Sequence, residues 1–512
     1  MNTKPAEREE RSERTNFEYS LIDVLALEPD QFPERSAPTL ERVLEAIGIV
    51  VEDETSREHL AGEARATVSG AAGPRDPLSV SDSVRLAALL GERLDADGSA
   101  RAAQLLFESE LSTGEVIDLH KQYKIPVSHL EDDLLPVRGD GAWIHDSWGR
   151  SYIDLDSNYS ATNLGNSNPE LAVGLMNQAS LLVSQKEDRI QVARARFLKE
   201  VHGMLPDGLD RFYWQNSGGE AVDKTLKVAK AYTGHTGVIA FEGGFHGRTH
   251  GAVAVTYNDA YRKPFGLDDE EWVHFATFND LESVKKLLSE GKAKTVILEL
   301  VQGEEGGMRP ATKEFAQGLR KLCDEQGAVM IADEVQTGFG RVAEKPGQWF
   351  ASHRYDVVPD IMAIGKSFGG GYPVTAVVTH AAISDAMVGG YDGSTFGGNP
   401  MAMTAALIAT RQMKRLDVTR RTVERSKQFA EGLAKVDSPA LKGFRTIGLM
   451  VAVDLDSVDR VEDVQRRMKA HRAHTSLSTG STMRWMPPLV ITPEEVEMVL
   501  EAFRAALKES GA

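Results

Sequence analysis

Between residues 190 and 380 the chain sets short, mostly apolar runs between amphipathic stretches. Val238–Phe241, Thr295–Val301, Val329–Asp333, Ile361–Ile364 and Val374–Val378 lack the polar alternation of a strand with one wet face. Strands of this kind are buried on both faces, as in a parallel sheet covered by helices. Gly219–Tyr232, Leu281–Leu288 and Thr312–Glu325 carry apolar residues at helical spacing. The alternation predicts an α/β domain, with ligands at the C-terminal ends of its strands. From about residue 400 the rhythm changes. Helices over Met401–Arg415 and Thr419–Lys435, a strand over Met450–Leu455 and a final helix over Pro493–Lys508 predict a smaller α+β domain.

Upstream, Gly141 to Asp156 reads as a hairpin. The first 115 or so residues read as a helical extension, with Leu40, Val43, Leu44 and Ile47 at helical spacing. Val84–Leu94 and Ser99–Leu111 look helical too, and Gly70–Pro77 reads as a loop. The first 18 residues are too polar to order themselves. Asp82-Ser83, ahead of an apolar helix, reads as a cap rather than a carrier-protein attachment site. The chain is thus divided into an extension (1–115), a leading segment (116–190), a large domain (191–400) and a small C-terminal domain (401–512).

With 58 basic and 76 acidic residues the net charge is −18, which argues against nucleic acid as the main partner. A locally positive pocket for a small anion remains compatible with it. Cys323 is the only cysteine, so no internal disulfide can form, and a reducing, cytoplasmic setting is expected. Met1 to Arg14 has no apolar core, so no signal peptide is expected; no apolar run is long enough for a bilayer, and no membrane partner is expected.

One lysine stands out. Lys366 follows the run Ile361–Ile364 and Gly365, and opens the turn Lys366-Ser-Phe-Gly-Gly-Gly-Tyr-Pro373. An ammonium where a buried strand opens into a backbone-exposing turn is costly unless its amine is used. We read it as the amine that holds pyridoxal 5′-phosphate (PLP) as a Schiff base; the plain alternative is a solvated lysine. Asp333 ends another apolar strand, where a carboxylate would pair with the pyridine nitrogen and keep it protonated. The alternative is a helix cap or an ion pair. Glu299 is placed similarly on the preceding strand. Asn216-Ser217-Gly218-Gly219-Glu220 opens a helix, either as a phosphate cradle or as a plain cap. Glycines around Phe245 would let its ring lie flat on a planar cofactor. His246 and His250 are four apart, but the glycines between them argue against a zinc pair, and no metal is expected. Ser394–Pro400 reads as a second anion-binding turn or a cap. Arg484 reads as a carboxylate fork or a structural ion pair.

Together the blocks Asn216–Glu220, Phe245–Thr249, Glu299–Gly307, Asp333–Arg341, Lys366–Pro373, Thr395–Pro400 and Arg484–Leu489 resemble the class III, fold-type I PLP-dependent aminotransferases, closest to the ornithine and acetylornithine branch. The resemblance covers about 125 to 512. It implies a large, mostly parallel PLP-binding domain, and transfer of an amino group, from the ω-amine of a diamino acid or related amine, to a keto acid such as 2-oxoglutarate. By position it implies that Lys366 carries PLP, Asp333 pairs with the pyridinium and Gln336 partners the ring hydroxyl. Ser217, Gly218 and Gly219 would hold the phosphate, and Phe245 would stack on the ring. Thr395 would reach the phosphate of a second copy in a homodimer with shared sites. Arg248 and Arg484 would bind carboxylates, and Glu304 would cover the second arginine, with Glu305 competing for that place. Tyr159 matches a substrate-facing tyrosine, while Trp143 stands where the ornithine enzymes have another. The same scaffold also supports an aminomutase, racemase or decarboxylase. A non-catalytic scaffold protein is a further alternative, and the extension lies outside the resemblance.

Overall fold

The computed structural model describes residues 53–68 and 113–511, apart from 149 and 477, together with single positions between 40 and 94. Expectations for residues 1–18, 70–77, 82–83 and 99–111 lie outside the described residues. The chain forms two compact units. In the first, α1 (Glu54–Thr67) is capped by Asp53, which accepts the Ser56 amide at 2.6 Å. Leu60 and Ala64, one turn apart, are buried with Val43, Ile47, Leu86 and Leu90. Leu40, Val43, Leu44 and Ile47 are helical, as their spacing predicts. α2 (Thr113–Tyr123) belongs to the same unit.

The second unit begins with the antiparallel strands β1 (Pro136–Asp140), β2 (Trp143–Asp146) and β3 (Ser151–Asp154). β2 and β3 form the expected hairpin, with Trp143 opposite Ile153. The centre is a seven-stranded sheet. Its members in chain order are β4 (Arg211–Gln215), β5 (Val238–Phe241), β6 (Val273–Ala276), β7 (Thr295–Leu298), β8 (Val329–Asp333), β9 (Ile361–Ile364) and β10 (Thr375–Thr379). Their order in space is β4-β10-β9-β8-β7-β5-β6. Only β10 runs antiparallel to its neighbours, so the sheet is mostly parallel, as expected. Helices α3 (Gly218–Thr233), α4 (Leu281–Ser289) and α5 (Lys313–Gln326) follow β4, β6 and β7. Each of them starts on a side-chain cap, from Ser217, Asp280 and Thr312.

Two strands of this sheet escaped the sequence reading, β4 and β6. They are the two edges of the sheet and are only partly buried, so they lack the continuous apolar run of the interior strands. The run expected over Thr295–Val301 stops at Leu298, because Glu299 turns into the site and Val301–Gln302 pairs separately with Arg309–Pro310.

The C-terminal part holds α6 (Pro400–Arg415) and α7 (Val418–Leu433), then β11 (Leu441–Ile447), β12 (Met450–Leu455), β13 (Ala473–His474), β14 (Ser478–Thr479), β15 (Thr482–Trp485) and α8 (Pro493–Glu509). β11-β12-β15-β14 make an antiparallel sheet, while β13 pairs with β3. One continuous core joins Phe197, Trp214 and Phe368 to Trp485, Val499 and Phe503 of this region. No helix among the described residues is long and apolar enough to cross a membrane.

Candidate active site

Five strands of the sheet deliver their C-terminal ends to one cavity of about 990 Å³. β4 leads to Asn216–Gly219, β5 to Phe245–Thr249, β7 to Glu299, β8 to Asp333 and β9 to Lys366. The antiparallel β10 contributes its first residue, Thr375, from the same edge.

Lys366 sits in a left-handed conformation with φ +47°. A non-glycine residue pays roughly 1–2 kcal/mol to stay there. Gly365 before it has no room for a side chain: a Cβ would lie 2.9 Å from Thr375 Cγ2. Ser367 after it donates to the Ser160 carbonyl at 2.9 Å and accepts from Asn163. Those contacts fix the turn that aims Lys366 inward. Its amine has no hydrogen bond or ion pair among the described residues. Burial pushes its ammonium below the ordinary lysine value, against the opposing pull of Glu304, Asp333 and Glu299.

Asp333 is 7% exposed. Its Oδ1 accepts the Val335 amide at 3.1 Å and its Oδ2 accepts from His246 Nδ1 at 2.8 Å. His246 is itself buried, and its Nε2 has no partner among the described residues. Glu299 accepts the amides of Phe245, at 2.8 Å, and Gly303, at 3.2 Å. It thereby ties two loops of the rim together. Burial raises its carboxyl pKa to about 7, with Asp333 adding to the rise and His246 opposing it.

At the start of α3, Glu220 accepts the amides of Asn216 and Ser217, and Ser217 Oγ accepts the Glu220 amide. The next two amides, of Gly218 and Gly219, have no acceptor among the described residues and stand at the positive end of a 16-residue helix. Gly219 must be glycine: a Cβ would meet Thr249 Oγ1 at 2.9 Å.

On the far wall Arg484, 4% exposed, donates to the Gly303 carbonyl at 2.5 Å and to Glu304 Oε2 at 3.1 Å. The two adjacent glutamates point to different partners. Glu304 pairs with Arg484, while Glu305 turns away and accepts from Asn258 at 2.9 Å. Arg248 lies over the Tyr261 ring at 4.2 Å. Phe245 meets Tyr261 edge to face at 6.1 Å. Tyr159 lines the cavity from a turn in which Ser157, Asn158, Tyr159 and Ser160 all have positive φ.

The structure therefore brings together Lys366, Asp333, Glu299, Gln336, Ser217, Gly218, Gly219, Phe245, Arg248, Glu304, Arg484 and Tyr159. Two expected residues stand apart. Trp143 does not line the cavity; its indole N–H donates to Glu495 Oε1 at 2.7 Å, which ties β2 to α8 and corrects the expectation of a substrate contact. Thr395 is exposed and borders a different cavity beside Asn216, Glu220 and Lys224. The sequence reading also missed His246 as the partner of Asp333. The two are 87 positions apart, and no spacing rule links them.

This arrangement was compared with known proteins. The family model described as aminotransferase class-III matches residues 126–507. The chain belongs to the class III aminotransferases. As such it is a PLP-dependent aminotransferase of fold type I. Among curated relatives it is 37% identical to the [LysW]-aminoadipate semialdehyde transaminase of Deinococcus radiodurans, over 73% of this chain and 86% of that one. It is 36% identical to the acetylornithine aminotransferase of Archaeoglobus fulgidus, over 71% and 93%. The ornithine aminotransferase structure from Toxoplasma gondii superposes with a TM-score of 0.73 at 26% identity, covering 78% of this chain and 96% of that one.

The residues of this aminotransferase suit PLP. The unpaired Gly218 and Gly219 amides fit a phosphate. The orphaned, buried Gln336 Oε1 and Thr249 Oγ1 face the same cavity and offer partners to polar groups of the cofactor. Asp333 would offer its carboxylate to the ring nitrogen, and the Lys366 amine is unengaged among the described residues.

Proposed function

We propose that Lys366 is the lysine that carries PLP, and that this enzyme moves the ω-amino group of a diamino acid or related amine to a keto acid such as 2-oxoglutarate. The observation that carries the reading is the strained, unpartnered Lys366 amine aimed into a cavity that also holds a buried aspartate and two arginines. Asp333, oriented by His246, would hold the ring nitrogen protonated. Gln336 would partner the ring hydroxyl, Phe245 would stack on the ring, and Ser217, Gly218 and Gly219 would seat the phosphate. When bound, PLP supplies an electron sink for the carbon from which the substrate proton leaves. Lys366 would take that proton as general base and, as general acid, give it to the cofactor's exocyclic carbon rather than back to the carbon it left, as transamination requires. Its lowered basicity suits a group that must give up a proton as well as take one.

The two arginines divide the substrate ends. Arg248 would receive a carboxylate directly. Arg484 is neutralised by Glu304 until an incoming carboxylate displaces that side chain. A gate of this kind would admit both an ω-amine donor, which leaves Glu304 in place, and a dicarboxylic keto acid, which moves it. The substrates in the relatives' names, acetylornithine and aminoadipate semialdehyde, each join a carboxylate to a terminal amine or aldehyde, which supports this class. We further propose a cytoplasmic homodimer in which Thr395 completes the phosphate seat of the second copy.

A donor screen with 2-oxoglutarate tests the reading. Acetylornithine, ornithine, lysine and simple ω-amines are each incubated with the holoenzyme, and glutamate is read by mass spectrometry. At least one ω-amine is expected to give stoichiometric glutamate and the matching carbonyl product. No glutamate from any of them, or turnover without a keto acid, would sink it.

A further inference from the structure

The two guanidinium groups of the cavity are held by opposite means. Arg484 is anchored by a carboxylate and a carbonyl. Arg248 has neither hydrogen bond nor ion pair among the described residues. What holds it is the face of Tyr261, with Cζ 4.2 Å from the ring centroid, and more distantly Phe245 at 5.5 Å. Cation–π contact orients an arginine without using its N–H donors, so all five stay available to an incoming anion.

Tyr261 is in turn fixed from behind. It lies on the single helical turn Asp259–Arg262. Asn258 caps that turn, with Oδ1 accepting the Ala260 amide at 2.9 Å, while its Nδ2 donates to Glu305 Oε2 at 2.9 Å. Burial, and next the negative charge of the same Glu305, raise the pKa of the Tyr261 phenol. Glu305 neighbours Glu304 in the chain, so adjacent glutamates serve the two arginines: one pairs with Arg484, the other holds Asn258, which caps the turn that carries Tyr261 under Arg248.

We propose that Tyr261, backed by Glu305 and Asn258, is a positioning residue that presents Arg248 to a substrate carboxylate and so sets the preference for dicarboxylic over monocarboxylic keto acids. The inference rests on the reading of Arg248 as a carboxylate binder, and goes beyond it by assigning the residue that makes Arg248 effective. Phe245, at 5.5 Å against 4.2 Å, is the weaker of the two contacts.

The test compares 2-oxoglutarate with pyruvate as acceptor for the holoenzyme, with one productive donor held at saturation. The reading is the ratio of the two kcat/KM values. Arg248→Ala is expected to lower this ratio about 100-fold, the worth of a charge-assisted bidentate contact. Tyr261→Leu is expected to lower it about tenfold, through KM for 2-oxoglutarate rather than kcat. Tyr261→Phe keeps a ring under Arg248 and is expected to hold the ratio within about twofold, while Glu305→Ala, which removes the acceptor of Asn258 behind the turn, is expected to lower it about threefold. An unchanged ratio in Tyr261→Leu beside a fall in Arg248→Ala overturns the inference and leaves the reading of Arg248 intact. An unchanged ratio in Arg248→Ala overturns that reading as well. If Tyr261→Leu does not fold, Tyr261→Gln takes its place, and an unchanged ratio there overturns the inference.

Discussion

Asp333 and Glu299 are two buried carboxyls on neighbouring strands, and their surroundings set them apart. Asp333 receives a ring N–H from His246 and a backbone amide. Glu299 is more deeply desolvated, and its pKa rises to about 7. Asp333→Asn is expected to lower kcat/KM roughly 10- to 100-fold, the worth of one charge-assisted hydrogen bond. Steady-state kinetics at saturating PLP would check it. The raised Glu299 pKa has a definite sign in stability. At pH values between its ordinary value of 4.5 and about 7, the folded state keeps a proton that the unfolded state releases. Stability from this group is therefore full below pH 4.5 and falls as pH rises toward 7, by roughly 3 kcal/mol in total. Glu299→Gln is expected to remove that slope. Chemical denaturation of both proteins across pH 4.5–7.5 would reveal it as a difference that grows with pH. At this scale the lysine and the aspartate were legible because each ends an apolar run. His246, Tyr261 and the fate of Trp143 were not, because they depend on contacts between segments far apart in the chain.

The element that positions the lysine is a turn, Ser157–Ser160, in which four successive residues are left-handed. Such a turn costs several kcal/mol and persists only where its surroundings over-determine it. Asp154 Oδ1 accepts the amides of Asp156 and Ser157, Ser157 Oγ donates to the Met486 carbonyl, and Ser367 donates to the Ser160 carbonyl. Behind them lies Arg341, fully buried, with donors on the Leu449 and Pro487 carbonyls and on Asn163. Burial without a carboxylate in contact pushes its pKa down to about 9. Asn163 passes the constraint to Ser367, next to Lys366. Arg341→Met leaves three buried acceptors short of a donor and is expected to cost roughly 3 kcal/mol in urea unfolding. None of this was visible beforehand: helical and strand periods carry no signal for a left-handed turn, and its partners other than Asp154 come from residues more than 170 positions away. The interior strands β5, β8 and β9 were legible to the residue, because burial on both faces writes itself as an unbroken apolar run.

For the molecule as a whole, the surface around Thr395 bears on assembly. Arg194 donates to the Gly398 carbonyl and to those of Glu187 and Arg189, joining segment 187–194 to the loop before α6. Both segments carry exposed apolar side chains, Ile190 and Val192 on one, Val388, Tyr391 and Phe396 on the other. These are the apolar side chains that the proposed dimer would cover. Phe396→Asp is expected to shift the protein from twice the chain mass toward the single chain in light scattering, and to weaken PLP binding with it, since Thr395 sits beside it. The α/β core could be foreseen from rhythm alone, and of the C-terminal sheet only β12; what the extension contributes could not, because helical periodicity says that it packs but not on what. Everything argued for the activity passes through one covalent attachment. Borohydride reduction of the PLP-loaded protein, followed by proteolysis and mass spectrometry, locates it. A pyridoxyl group on the peptide that contains Lys366, absent from Lys366→Ala, is the expected result. The group on any other lysine, or on none, would contradict it.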